Sequence, residues 1–351
     1  MPDSGIDIFD EFAVDLAADG TPATPMVLVP LDGFGVETPE RIAWTAERMN
    51  QALPLVIGVL RGPVTSGLAP LLEAATLTLT TDAAASSLPQ AVVVDDIDAA
   101  INLLRAAVQH SPRAAVACGQ LLRQTVRLPT VPALAAEAAV YSMLLGGTEF
   151  ERWLTERGAP RTIAPPEHAL VRTDRDGHRL TITLDHPQRR NALSARLRED
   201  LLEAVRLADL DSTLTAVEIN GAGSVFSSGG DLDEFGTATD LVSAYMVRLE
   251  RAPWRIIDRI RERVTVRVHG ACIGAGAEVA AFGGTVVAVP DTYFAFPEVR
   301  MGLVPGAGGT VSVPRRIGRW RAAWLMLTEQ RLAATLALDW GMVDVVEQTR
   351  R

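Results

Sequence analysis

The stretch His269-Gly270-Ala271-Cys272-Ile273-Gly274-Ala275-Gly276-Ala277-Glu278 follows the short apolar run Val264 to Val268. The run reads as a buried strand, and the glycines then turn the chain into a short helix, Gly274 to Phe282. Thr285 to Val289 is the next strand. A strand, a glycine-rich turn and a helix in succession make an α/β unit. Glycine lets backbone N–H groups approach a ligand closely, and a helix N-terminus adds positive potential at the same place.

Working outward, the pattern continues in both directions. His178 to Leu184 alternates into a strand that ends at Asp185-His186-Pro187, and Ser194 to Leu210 has helical apolar spacing. Leu214 to Asn220 is another strand, and Phe226-Ser227-Ser228-Gly229-Gly230-Asp231-Leu232 follows it. Leu241 to Arg263 reads as helix interrupted at Pro253. Downstream lie Phe296-Pro297-Glu298 and Pro305-Gly306-Ala307-Gly308-Gly309-Thr310.

The order and spacing of these four pieces resemble the crotonase (enoyl-CoA hydratase/isomerase) family over roughly Leu170 to Val346. The resemblance implies an α/β crotonase-like ββα superhelix acting on an acyl-CoA thioester. It implies an oxyanion hole made by the N–H groups of Gly230 and Ala275. It implies Glu278 as the base that activates water for attack at C3, and Glu298 as the acid that protonates C2. Both glutamates are present, which points to hydration of a 2-enoyl-CoA. Isomerisation or thioester hydrolysis through the same hole, and a non-catalytic acyl-CoA-binding subunit, are the alternatives. Arg189, Arg190, Ser228, Gly229 and Gly274 are the substrate-binding candidates, the two arginines where the family wraps coenzyme A. Coenzyme A is part of the substrate, and no metal or redox cofactor is expected.

Other chemistries find little support. The 351 residues include no lysine, which removes Schiff-base chemistry and the phosphate-binding P-loop. A net charge of −10 argues against nucleic acid as partner. Gly274-Ala275-Gly276 lacks the third glycine of a dinucleotide fingerprint, and neither HExxH nor G-x-S-x-G occurs. Cys118 and Cys272 sit in apolar surroundings and read as buried free thiols. The acidic N-terminus does not resemble a signal peptide, and no apolar run has the length of a membrane span. A cytoplasmic protein is expected.

The Pro-rich segment Gly158 to Glu167 reads as a linker between residues 1–160 and 161–351. The first part faintly echoes the second: Leu53 to Gly62 resembles the strand before His269, Ser66-Gly67 falls opposite Gly274-Ala275, and Pro70 falls opposite Glu278. It is expected to be a degenerate, catalytically dead crotonase-like half. Residues 96–157 add Ala/Leu/Arg-rich helices, Ile97 to Gln109, Pro112 to Thr125 and Val131 to Arg157. They resemble the family's C-terminal helices, which cover the site and build trimers. A homo-oligomer, trimeric or a multiple of it, or a pseudo-symmetric pair of units within one chain, is expected.

Overall fold

A computed structural model describes residues 12–161 and 167–347; the acidic N-terminus and residues 162–166 of the expected linker lie outside the described residues. The first half opens with four parallel strands in sequential order: β1 Met26–Pro30, β2 Leu55–Leu60, β3 Leu77–Thr80 and β4 Ala91–Val93. Helices α1 Pro39–Gln51 and α2 Ala69–Ala74 are the first two crossovers. Successive side chains of a strand point to opposite faces. Leu55, Ile57 and Val59 therefore enter the main core, while Val56 and Leu60 join Leu31, Met49 and Leu71 in a smaller one. Pro70 lies in the first turn of α2, where no intrahelical N–H bond is lost, so it does not break the helix as its interior position in the echo would.

Four helices follow: α3 Ile97–His110, α4 Pro112–Thr125, α5 Thr130–Leu144 and α6 Thr148–Arg157. Asp96 starts α3 by accepting the N–H groups of Asp98 and Ala99. The single run expected over 131–157 is broken after Leu144, and Gly147 is the cap from which α6 departs. Glu149 caps α4 from a distance, accepting the N–H groups of Arg113 and Ala114.

The second half comprises β5 Val171–Asp176, β6 Arg179–Leu184, α7 Ala195–Leu210, β7 Ala216–Gly221, α8 Leu241–Glu250, α9 Pro253–Arg259, β8 Val264–Val268, β9 Ala271–Ile273, α10 Ala275–Ala280, β10 Thr285–Ala288, β11 Tyr293–Ala295, α11 Gly309–Ile317, α12 Arg319–Thr328, β12 Leu332–Ala333, α13 Ala334–Trp340 and β13 Val345–Val346. Six strands form one sheet in the order β13-β10-β8-β7-β6-β5, parallel except for the β5–β6 hairpin. A small sheet, β12-β11-β9, stands beside it and carries the turns that lead into the site.

The two halves share one core. Leu104, Cys118, Leu122, Leu134 and Tyr141 from the first half pack in the same cluster as Trp254, Val311, Val313 and Trp324 from the second. Arg319 and Arg321 are buried between the halves and donate to backbone carbonyls of Ala75, Glu73, Ser86 and Leu88. A buried guanidinium must satisfy its donors, so these contacts pin α12 against the first sheet. Among the described residues no single helix is long and apolar enough to cross a membrane.

Candidate active site

The site lies where β9, β11 and the loop before α11 meet. Gly274, at φ +45°, turns the chain out of β9, and its N–H donates to the Ala295 carbonyl at 2.8 Å. A side chain at this position would run into the Glu298 carboxylate, so glycine is needed for both backbone and space. Ala275 is the first residue of α10, and Glu278 is fully buried three residues on. Glu298 follows β11 and is also buried. Gly230, Ala275, Glu278 and Glu298 all line one cavity of ≈ 530 Å³. Neither the Gly230 nor the Ala275 N–H meets an acceptor among the described residues. Two unused backbone donors on a cavity wall suit an oxygen that gathers negative charge.

The Pro305–Thr310 turn supplies Glu278 with hydrogen-bond donors. A helix N-terminus leaves its first N–H groups without intrahelical partners. At α11 two buried carboxylates divide these donors in alternation. Glu278 Oε2 accepts from Ala307 at 2.6 Å and Gly309 at 2.8 Å. Glu137, on α5, accepts from Gly308 at 2.7 Å, Thr310 N–H at 2.9 Å and Thr310 Oγ1 at 2.7 Å. Gly309 is in contact with the Glu278 side chain, where a Cβ would clash.

The three carboxyls titrate together. Burial pushes Glu278 well above its ordinary value, repulsion from Glu298 and Glu137 adds to this, and the Ala307 and Gly309 N–H groups pull it back. Burial raises Glu298 to about 8, with repulsion from Glu329 and Glu137 contributing, and only its own backbone N–H opposes. Glu298 Oε2 is buried without any hydrogen-bond partner. Two buried carboxyls raised together resist losing both protons. Two N–H donors favour the ionised form on Glu278, and the orphaned oxygen favours the protonated form on Glu298.

Sequence reasoning missed Glu137, Tyr141 and Arg248. Tyr141 and Leu145, from the end of the first half, line the cavity, as does Arg248 of α8. Glu137 is four residues from both Ala133 and Tyr141, and all three are buried, so the acid stands on the inward stripe of α5. A lone Glu on an otherwise apolar helix face is the signal that could have found it.

The other expected residues lie off the cavity wall. Ser228 N–H donates to the Arg190 carbonyl and Gly229 N–H to Ser227 Oγ, so both build the turn that carries Gly230. Arg190 is exposed in the left-handed region at φ +50°. Arg189, expected to bind coenzyme A, is largely buried. It turns inward to Asp231 and, at 2.6 Å, to Asp233, because these acids of the Gly230-Asp231-Leu232-Asp233 turn stand opposite it. No group of three His, Cys, Asp or Glu among the described residues is arranged to hold a metal.

The sequence profile of the enoyl-CoA hydratase/isomerase family matches residues 177–349. A probable mitochondrial enoyl-CoA hydratase of Dictyostelium discoideum is 32% identical over 188 residues, 54% of this chain and 67% of the relative. The chain belongs to the enoyl-CoA hydratase/isomerase family, within the crotonase superfamily. The 1,2-epoxyphenylacetyl-CoA isomerase of Escherichia coli K12 is 33% identical over 47% of this chain and 64% of its own length. An enoyl-CoA hydratase structure from Thermoplasma volcanium GSS1 aligns with TM-score 0.47 and 32% identity, covering 52% of this chain and 73% of that one. The chain thus spans about two thirds of the length of the curated relatives it matches.

Proposed function

We propose that the protein hydrates a 2-enoyl thioester of coenzyme A to the 3-hydroxyacyl thioester. The observation that carries this reading is the pair of buried glutamates, Glu278 and Glu298, on the wall that also presents the free N–H groups of Gly230 and Ala275. In the forward direction the thioester oxygen accepts from those two N–H groups. Glu278, ionised, takes a proton from water as its oxygen bonds to C3. The C2–C3 π electrons move toward the carbonyl, and Glu298 delivers a proton to C2. Proton transfer between the two carboxyls, directly or through product release, restores the starting state. Loss of one backbone donor from such a hole costs about 3 kcal/mol of barrier.

Double-bond isomerisation through the same hole needs only one proton carrier, and the 35% identity to a trans-2-decenoyl-[acyl-carrier-protein] isomerase of Streptococcus mutans supports it as the second reading. We read residues 1–160 as a worn half-copy: β2, α2 and β3 repeat the strand, six-residue helix and strand of β8, α10 and β10, without the acid. Assembly into a homo-oligomer remains part of this proposal. Incubation with crotonyl-CoA and identification of the product by mass tests it: a gain of one water supports hydration, and unchanged mass with a shifted double bond supports isomerisation.

A further inference from the structure

Two guanidinium groups face the cavity, and one of them, Arg248, has no ionic partner among the described residues. Arg248 lies on α8 with its Cζ 3.4 Å from the centroid of the Tyr141 ring. Its Nη1 donates to the Gly306 carbonyl at 2.9 Å. Both contacts are to uncharged groups, and Arg248 forms no ion pair among the described residues. The acids of the same wall are engaged elsewhere. Asp231 pairs with Arg189, Asp240 caps α8 through the Val242 and Ser243 N–H groups, and Glu234 accepts from the Ala195 N–H that opens α7. Glu137 feels the Arg248 charge, but its oxygens are taken by Gly308 and Thr310. Among the described residues the second guanidinium, Arg198 of α7, pairs only with Glu199 at 3.2 Å, a carboxylate that Arg251 holds at 2.8 Å, and its Nε is buried without a partner.

A plain alkyl chain laid over this guanidinium would cover charged N–H donors that it cannot accept from, which is costly. A carboxylate would meet a planar fork whose plane is already fixed by the Tyr141 ring and the Gly306 carbonyl, so little ordering is left to do. Gly306 is the chain neighbour of Ala307, which holds Glu278. The cation and the two acids thus line one cavity.

We propose that the acyl group of the substrate carries a carboxylate and that Arg248 receives it. This rests on the acyl-thioester reading of the site. The test uses the full chain and two 2-enoyl-CoA thioesters of equal length, one ending in a carboxylate and one in the carboxamide. A charge-assisted contact predicts roughly a 10- to 100-fold higher kcat/KM for the carboxylate. Arg248→Met should collapse that ratio to within about threefold, and Arg248→Lys, which keeps charge without the fork, should fall between. The saturated forms of both thioesters, titrated calorimetrically, read the same preference without turnover. Tighter binding of the saturated carboxylate form that Arg248→Met removes supports the proposal even where neither enoyl thioester reacts, and then the hydration reading alone fails. Equal kcat/KM and equal binding in the wild type overturn the proposal and leave the hydration reading standing. A wild-type preference that Arg248→Met leaves intact overturns the role of Arg248, and a circular dichroism melt establishes that the variant is folded. Binding of neither saturated thioester overturns both.

Discussion

Glu137 gives the sharpest stability prediction, because one side chain satisfies three buried donors. Replacing it with alanine orphans the Gly308 N–H, the Thr310 N–H and the Thr310 hydroxyl. Each buried donor left unmade costs about 1–3 kcal/mol, so the change costs about 3–9 kcal/mol in all. That is a large share of the roughly 5–15 kcal/mol that holds a domain folded. Glu137→Gln keeps the size and one accepting oxygen but turns an NH2 toward the remaining donors, and should cost about 1–3 kcal/mol. The loop that moves also carries Ala307 and Gly309, so turnover should fall in the same order. Urea unfolding followed by tryptophan fluorescence, with kcat measured on each variant, provides the assay. An alanine variant within about 0.5 kcal/mol of wild type and with unchanged kcat would refute the claim that Glu137 holds the α11 N-terminus.

Other perturbations bear on different parts of the account. Glu278→Gln and Glu298→Gln should each lower kcat about 10²- to 10⁴-fold with thioester binding largely kept, and near wild-type turnover in either would sink the two-glutamate scheme. Ala275→Pro deletes one oxyanion donor at the first position of α10, where helices accept proline, so a folded but inactive enzyme is expected, and normal turnover would place the hole elsewhere. Glu137 and Glu298 hold their protons in the folded chain up to about 7 and about 8, whereas the unfolded chain releases them near the ordinary 4.5. The unfolded state thus binds fewer protons across that window, and Glu278 is raised in the same direction, so stability should fall as pH rises through it. Urea midpoints that climb instead would contradict this, and Glu298→Gln should flatten the upper part. The fragment 167–351 alone should be insoluble, because it exposes the faces of α11 and α12 that α4, α5 and the first sheet cover; a stable, active fragment would show the first half to be dispensable.

Much of the second half was legible because local pattern and tertiary role agree there. Ser194 is the side chain that caps α7, Pro253 starts a new helix after a break, and Gly274 turns into α10 where the glycines said it would. What was missed depends on partners distant in the chain. Strand β5 is polar and mostly exposed, so alternation could not reveal it; Gly177 at φ +56° and the pairing with β6 create it. Arg189 read as a coenzyme A contact because its partners, Asp231 and Asp233, come from a turn some forty residues on. Glu137 stands on the inward stripe of α5, and only the arrival of the α11 N-terminus gives it donors to accept from.

The central claim is that Glu278 and Glu298 add water across a 2-enoyl thioester. Crotonyl-CoA turned over in ¹⁸O-labelled water, with the product fragmented in the mass spectrometer, tests it most directly. The account predicts a 3-hydroxyacyl thioester carrying the solvent oxygen at C3, formed by the wild type and lost in Glu278→Gln. A product without solvent oxygen, or label incorporated equally by the Glu278→Gln variant, would contradict it.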